Sequence, residues 1–217
     1  MKIIQCVPNF SEGRDISLIK KITDSIESVS GITLLDVDSG ADTNRTVVTI
    51  VGNPESIIQA AFLCIQTASK FIDMRKHKGA HARMGATDVC PFVPISNVTM
   101  DDCVKYSNQL AKKVGKELNI PVFLYEYSST KKHMQNLAEI RKGEFEGMTD
   151  KLKLSKWKPN YGPLVPHKTA GVTAIGARNI LIAYNINLNT NDNRIATDIA
   201  LDIREQGRNK RNKSGKF

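Results

Sequence analysis

The chain is organised around the segment HKGAHARMGATD, which occupies residues 77–88 and contains two histidines, two glycines and the acid Asp88. A periodic helical pattern precedes this segment, and a run of buried character, VCPFVPI, follows it from Val89. Polar loops that are broken by glycine and held between apolar elements commonly present functional groups. Imidazole exchanges a proton near neutral pH, and the cations Lys78 and Arg83 favour anionic ligands. The composition alone leaves a second interpretation open, a solvated basic loop with incidental histidines.

The composition is that of a folded globular protein: of 217 residues, 41% are hydrophobic and 24% are charged. This length allows one large domain, or one domain and part of a second. No apolar run approaches the ~20 residues that a membrane-spanning helix needs, and the N-terminus lacks the pattern of a signal peptide. The four cysteines are widely spaced in apolar contexts, which indicates free buried thiols and argues against zinc. We therefore expect a cytoplasmic protein with no membrane partner and no bound metal.

The net charge of +9 is concentrated at the C-terminus, where residues 204–217 contain six cations and one acid. A basic tail can bind nucleic acid or an acidic surface, and it can also be a solvated, frayed terminus. The tail has no interleaved aromatic residues and no known nucleic-acid motif, so we do not expect a nucleic-acid partner. A nucleic-acid-binding protein would show steeply salt-dependent binding that is lost when residues 208–217 are deleted.

Hydrophobic periodicity and capping residues predict an α+β fold with a mixed sheet and helices on one or both faces. Strands are predicted at residues 2–7, 32–37, 45–51, 90–95, 121–125 and 180–186. Helices are predicted at residues 16–29, 54–72, 99–118, 137–141 and 195–203. Asp15 is placed to cap the first helix, Pro54 suits the first position of the second, and Thr99 with Asp102 forms a capping-box pattern.

Two stretches depart from this regular pattern. Pro91 and Pro94 indicate that the strand at 90–95 lies at a sheet edge or is irregular, because proline lacks the N–H that a central strand donates. Residues 144–174 are predicted to be largely irregular, and a connection of that length is usually functional or a linker.

Several long motifs, in this order along the chain, carry a resemblance to one family. They are CVPNFSEG at 6–13, LDVD at 35–38, TNRT at 43–46, the loop at 77–86, DVCPF at 88–92, the segment 162–171, GAR at 176–178 and AYNINL at 183–188. From residue 6 to about residue 207 the chain resembles the glutamate formiminotransferases, the N-terminal activity of formiminotransferase-cyclodeaminase. The resemblance implies a ferredoxin-like N-terminal subdomain at residues 1–178, the start of a truncated second subdomain at 179–207 and a basic tail at 208–217.

The resemblance also implies an activity. Members of the family transfer the formimino group from N-formimino-L-glutamate to N5 of tetrahydrofolate, in histidine degradation and one-carbon metabolism. Tetrahydrofolate would then be a co-substrate, folate polyglutamate a binding partner, and a homodimer the expected assembly. A non-catalytic, folate-binding remnant of the family is the alternative.

The same resemblance assigns site residues. His81 corresponds to the catalytic histidine, which serves as general base and then general acid, and Asn9 and Asp38 border the active site. Asp38 is expected to orient the imidazole or stabilise a cationic intermediate, Arg83 to bind substrate carboxylates together with Lys78, and His77 to support the loop. The folate-contacting segment comprises Gly162, Pro163, Leu164, Val165, Pro166, His167, Lys168, Thr169, Ala170 and Gly171.

Overall fold

The computed structural model describes residues 1–182, 186 and 188–203, which belong to two compact units, Met1–Ile180 and Leu181–Phe217. The strands of the first unit are β1 (Ile3–Cys6), β2 (Asn9–Phe10), β3 (Ile32–Gly40), β4 (Arg45–Gly52), β5 (Thr87–Ser96), β6 (Val122–Glu126) and β7 (Thr173–Ala177). Its helices are α1 (Ile16–Glu27), α2 (Pro54–Phe71), α3 (Met100–Glu117), α4 (Lys132–Gln135), α5 (Leu137–Arg141) and α6 (Glu144–Lys153), followed by a 3₁₀ turn at Ser155–Trp157. In the second unit, α7 spans Asn193–Ile203.

The seven strands form one mixed sheet. β3 pairs with β4, and both β1 and β2 lie between β4 and β5 in antiparallel pairing with each. β5, β7 and β6 then run parallel to one another. The predicted α+β class with a mixed sheet and packed helices is therefore confirmed.

Helix boundaries follow the capping residues that the sequence contains. The Asp15 carboxylate accepts hydrogen bonds from two backbone N–H groups in the first turn of α1. The Asn53 side chain accepts one, from the Ser56 N–H, at the start of α2, whose first residue is Pro54. At α3, Thr99 and Asp102 bond reciprocally to each other's backbone N–H, which is a complete capping box. These side chains satisfy N–H groups that a helix start would otherwise leave unpaired.

Successive residues of the parallel strands contribute to two different cores, because strand side chains alternate between faces. On one face, Cys90 and Ile175 join the larger core beneath α1, α2 and α3. On the other face, Val89 and Ala174 join a smaller core with residues of α4, α5, α6 and the 3₁₀ turn. The four cysteines are free and buried, as predicted.

The expectation that residues 90–95 form an edge strand is wrong, whereas the alternative of an irregular strand is confirmed. Ile3 pairs with Ser96 and Ile4 with Pro94, so Ile95 is an extra residue in the strand. β5 lies inside the sheet, with β1 and β2 on one side and β7 on the other. Pro91 lacks its own N–H but still accepts a hydrogen bond at its carbonyl oxygen from the Val7 N–H, at 3.2 Å. One missing donor is tolerated here because the strand is almost fully buried and is paired on both sides.

The expectation that residues 144–174 are largely irregular is wrong at both ends of the segment, because α6 occupies its first ten residues and β7 begins at Thr173. Residues 158–172 do lack helices and strands. The sequence does not predict α6 as a helix, because Gly147 and several charged residues interrupt the apolar pattern. Packing holds the helix in place: Met148 and Leu152 are buried in the smaller core. The buried Lys151 Nζ donates to the carbonyl oxygens of Glu139, Ile140 and Lys142, which satisfies the end of α5.

The remaining predictions concern the second unit. The helix predicted at 195–203 is confirmed as part of α7. The strand predicted at 180–186 lies partly outside the described residues, and its described residues 180–182 are not in a strand. The basic tail at 208–217 lies outside the described residues altogether. Within the described part of the chain, no helix is both long and apolar enough to cross a bilayer.

Two glycines provide a matched test of the packing. A Cβ at Gly85 would overlap the carbonyl oxygen of Val172, whereas a Cβ at Gly147 would meet no atom within 4 Å. We expect Gly85→Ala to lower the free energy of unfolding by about 1–3 kcal/mol, because the backbone at Val172 would have to move to make room for the added methyl group. Gly147→Ala should instead raise it by about 0.5–1 kcal/mol, because alanine is the better helix former. Urea denaturation of both variants measures the difference, and equal effects would contradict the described packing.

Candidate active site around His81

The turn between β3 and β4 holds the first half of the histidine loop. Asn44 has a φ of 48°, and its side-chain oxygen accepts a hydrogen bond from the Gly13 N–H at 2.9 Å. Its amide nitrogen donates to the Lys78 carbonyl oxygen at 2.9 Å. The Ala80 N–H donates to the Asp42 carbonyl oxygen at 3.0 Å. Three segments that are distant in sequence therefore meet at one asparagine.

His77 supports the loop from inside. The ring is 7% exposed, and Nε2–H donates to the Asn44 carbonyl oxygen at 2.8 Å. Nδ1 then accepts a bond of 3.3 Å from Nε of Arg83. Burial lowers the pKa of His77, so this ring is neutral at pH 7. Both ring nitrogens are occupied by the protein itself, which makes His77 a positioning residue.

Arg83 fastens the loop to α6. Its guanidinium group donates to the carboxylates of Glu144, at 2.5 Å, and Glu146, at 2.7 and 2.9 Å. The Arg83 side chain is only 7% exposed. Arg83 therefore binds two carboxylates of the chain itself. Fewer of its N–H groups are left for the substrate carboxylate that the sequence led us to expect.

A β-bulge places the acid of the loop. Along β2 the pairing advances by one residue, from Asn9 opposite Val89 to Phe10 opposite Thr87, while β5 advances by two. Asp88 is therefore the extra residue of the bulge. Bulges redirect side chains that regular pleating would fix, and this one turns a carboxylate into a fully buried position.

The carboxylate of Asp88 joins two arginines. Oδ2 accepts hydrogen bonds from Arg45 Nη1 at 2.9 Å and from Arg141 Nη2 at 2.6 Å, while Oδ1 accepts from the Met84 N–H at 3.0 Å. Arg45 Nη2 also donates to the side-chain oxygen of Asn9 at 2.7 Å. We call Asn9, Arg45, Asp88 and Arg141 the Asp88 cluster.

The Asp88 cluster is held as ions. Burial alone would raise the pKa of Asp88, but the charges of Arg141 and Arg45 and their hydrogen bonds lower it below its ordinary value. The side chains of Arg45 and Arg141 are 10% and 15% exposed. Two guanidinium groups therefore share one carboxylate, which leaves a net charge of +1 within the Asp88 cluster.

His81 lies within the field of this cluster and is partly exposed. Its Nδ1 is 2.5 Å from the Ala82 carbonyl oxygen, which can only accept, so Nδ1 carries the proton and Nε2 carries the lone pair of the neutral ring. Burial and the charges of Arg45 and Arg141 lower the pKa of His81. The ring is therefore neutral at pH 7 and can act as a base through Nε2.

The other predicted site residues lie in the same unit. Asp38 pairs with Val47 across β3 and β4, and Val47 pairs with Asn9, so the three side chains share one face of the sheet. Asp38 is exposed, and the carboxylate that acts on the pKa of His81 is that of Asp88. A role for Asp38 stays a prediction.

The segment 162–171 borders the end of the histidine loop. The Thr169 carbonyl oxygen accepts from the Met74 N–H, and the Ala170 carbonyl oxygen accepts from the Ala86 N–H, both at 2.9 Å. His167 and Gly171 exchange two backbone hydrogen bonds of 2.9 Å, and Gly171 has a φ of 67° that favours glycine. The apolar side chains before this turn, Leu164 and Val165, are 56% and 64% exposed.

Sequence reasoning missed most of the Asp88 cluster. Arg45 and Asp88 lie within motifs that the family resemblance used, but only the fold shows that they meet. Arg141 lies 53 residues from Asp88 at the end of a five-residue helix, and no sequence signal points to it. Among the described residues, no group of three or more histidine, cysteine or acidic side chains could hold a metal ion.

A neutral histidine, in a loop that a buried arginine–aspartate cluster holds in place, can exchange a proton with a bound molecule. The chain belongs to the formiminotransferase family: residues 3–178 match the formiminotransferase domain, N-terminal subdomain. This match spans most of the first compact unit.

Curated relatives agree with this assignment. Over 95% of its length the chain is 52% identical to a glutamate formimidoyltransferase of Streptococcus pyogenes serotype M1, of which it covers 69%. It is 45% identical to a glutamate formimidoyltransferase of Thermoplasma acidophilum, of which it covers 68%. It is 51% identical to a formimidoyltransferase-cyclodeaminase of Dictyostelium discoideum, of which it spans 38%.

The buried ion cluster should be needed for stability. Asp88→Asn would leave two buried guanidinium groups without their counter-ion, and we expect it to lower the free energy of unfolding at pH 7 by about 3–5 kcal/mol. Because the folded pKa of Asp88 is lowered, this contribution is present above the unfolded value of about 3.9 and is lost as the pH falls through the folded pKa. Asp150→Asn is the control, since its ion pair with Lys153 is exposed. Equal effects of the two changes would contradict the account.

The charges beside His81 should set its protonation. Arg141→Gln removes one positive charge, so we expect the pKa of His81 to rise. Titration of the ring Cε1–H resonance by NMR, assigned with His81→Ala, measures the change. Lys153→Gln removes an exposed cation elsewhere and should leave the His81 titration in place. An unchanged or lower pKa in Arg141→Gln would be inconsistent with the geometry.

Proposed function

We propose that the chain transfers the formimino group of N-formimino-L-glutamate to N5 of tetrahydrofolate, with His81 as general base and then general acid. Family membership and the names of the Streptococcus and Thermoplasma relatives support the reaction class. The observation that carries the proposal is the neutral His81 ring, whose Nε2 has its lone pair available.

The reaction needs one group that first accepts a proton and then donates it. The lone pair of N5 forms a bond to the formimino carbon, and the N5 proton passes to Nε2 of His81. The resulting tetrahedral intermediate collapses when the bond from that carbon to the glutamate nitrogen breaks, and His81 returns the proton to this nitrogen. The products are 5-formiminotetrahydrofolate and L-glutamate. A positioned acid–base group of this kind typically contributes about 10²–10⁴-fold in rate.

The segment 162–171 suits a folate ring system. Leu164 and Val165 present exposed apolar surface, on a segment that hydrogen bonds with the end of the histidine loop. Nδ1 of His167 accepts from the Ala170 N–H at 3.0 Å, which leaves Nε2–H as a donor for a ligand. Tetrahydrofolate as co-substrate, folate polyglutamate as its natural form, a homodimer and a cytoplasmic location are parts of the same proposal.

A turnover assay tests this function. Purified protein is supplied with N-formimino-L-glutamate and tetrahydrofolate, and formation of 5-formiminotetrahydrofolate is followed. We expect His81→Ala to lower kcat by about 10²–10⁴-fold. His133→Ala is the control, because His133 is an exposed histidine that hydrogen bonds to the Lys156 carbonyl oxygen at 2.8 Å.

Three outcomes are distinguishable. Turnover that depends on His81 but not on His133 supports the proposal. Turnover that persists in His81→Ala contradicts the assigned base. A folded wild-type chain that binds tetrahydrofolate without turnover is a folate-binding protein that does not catalyse the transfer.

A further inference from the structure

The Asp88 cluster carries more positive charge than the protein neutralises within it. Arg45 and Arg141 share a single carboxylate, and both side chains are at least 85% buried. Burying an ion away from water is costly unless a counter-ion and hydrogen bonds compensate for it. A second anion beside the two arginines would complete the charge balance.

We infer that Arg45 and Arg141 form a carboxylate-binding subsite, which holds a carboxylate of the group donor next to His81. This inference rests on the proposed function, since it names how that site recognises its donor. It also assigns a binding role to two arginines that sequence reasoning did not single out.

The hydrogen-bond inventory supports the subsite. Each guanidinium group has five N–H donors. Both groups bond to the same oxygen of Asp88, each through one nitrogen, so neither binds this carboxylate in a bidentate manner. The Nε of Arg141 is buried and has no hydrogen-bond partner among the described residues. A buried unpaired donor is costly, and a ligand oxygen would satisfy it.

The arginines are held in place before any ligand binds. Asp88 is fixed by the bulge and by the Met84 N–H, and Asn9 binds the second arm of Arg45. Lys151 bonds to the carbonyl oxygens of Ile140 and Lys142 on either side of Arg141, which fixes the end of α5. A preorganised fork loses less conformational freedom when it binds a carboxylate.

Arg83 is the competing candidate, but carboxylates of the chain itself already bind its guanidinium group. It bonds to both Glu144 and Glu146, so one cation faces two carboxylates. Three hydrogen bonds to these carboxylates already occupy both terminal nitrogens of Arg83. The cluster at Asp88 has two cations for one carboxylate and is the better anion site.

The donor fits this position better than the folate tail does. In N-formimino-L-glutamate the α-carboxylate is attached to the carbon that bears the reacting nitrogen. In tetrahydrofolate the aminobenzoyl group separates the glutamate carboxylates from N5. Arg45 and Arg141 both bond to Asp88, and Asp88 accepts from the Met84 N–H three residues beyond His81, so a carboxylate at these arginines lies at the histidine loop.

Binding of product and turnover of donor test the subsite separately. Calorimetric titration with L-glutamate, with its diamide, which lacks both carboxylates, and with N-(4-aminobenzoyl)-L-glutamate is performed on the wild type, Arg141→Gln and the control Lys153→Gln. Arg141→Gln leaves Asp88 paired with Arg45, so the protein should fold. We expect it to weaken L-glutamate binding by about 10–100-fold, while Lys153→Gln and the wild type bind alike and the diamide does not bind.

In the turnover assay, Arg141→Gln should raise KM for N-formimino-L-glutamate and leave KM for tetrahydrofolate unchanged. Glutamate binding that depends on Arg141 in a chain without turnover would uphold the subsite and reject the transferase. Turnover with an unchanged donor KM in Arg141→Gln would reject the subsite and leave the transferase standing. If only the aminobenzoyl compound loses affinity, the arginines bind the folate tail and the inference is wrong.

Discussion

The buried carboxylate of Asp88 is the constraint on which the site depends. It accepts hydrogen bonds from Arg45 on β4, from Arg141 at the end of α5 and from the Met84 backbone within the loop itself. One side chain thus connects the sheet, the loop and the layer of short helices. Because a buried ion without a partner is costly, any arrangement that separates these three parts is penalised.

The proposed function depends on the surroundings of one histidine, His81. Burial and the charges of Arg45 and Arg141 lower the pKa of His81, and the Ala82 carbonyl oxygen selects the tautomer with Nε2 unprotonated. Around this centre, His77 and Asn44 fix the course of the loop, and Arg83 ties it to α6. The sheet supplies rigidity, and the loop supplies the reactive group.

Local sequence signals predicted the elements whose stability is local. The caps at Asp15 and Thr99 and the apolar stripes of α1, α2 and α3 depend on neighbours within four residues, so the helices were found. The central position of β5 was missed because Pro91 weakens a strand locally while pairing on both sides outweighs that loss. The helix α6 was missed because burial of Met148 against distant residues stabilises it.

The residues of the candidate site also fall into those that local sequence motifs predicted and those that depend on distant contacts. His81 was found because a family motif surrounds it, whereas Arg141 was not, since its meaning comes from a contact 53 residues away. The bulge at Asp88 is equally invisible in sequence, because it depends on the register of β2 against β5. Arg83 was assigned to a substrate because the acids that bind it, Glu144 and Glu146, lie in a segment that was taken as irregular.

The tautomer and charge of His81 are the central claim, and ¹⁵N NMR of the imidazole ring at pH 7 tests it most directly. Selectively ¹⁵N-histidine-labelled protein, with His81→Ala for assignment, reports which ring nitrogens carry protons. The account predicts a neutral ring protonated at Nδ1, with an unprotonated Nε2 that is free to act as a base. A doubly protonated ring, or a neutral ring protonated at Nε2, would contradict it.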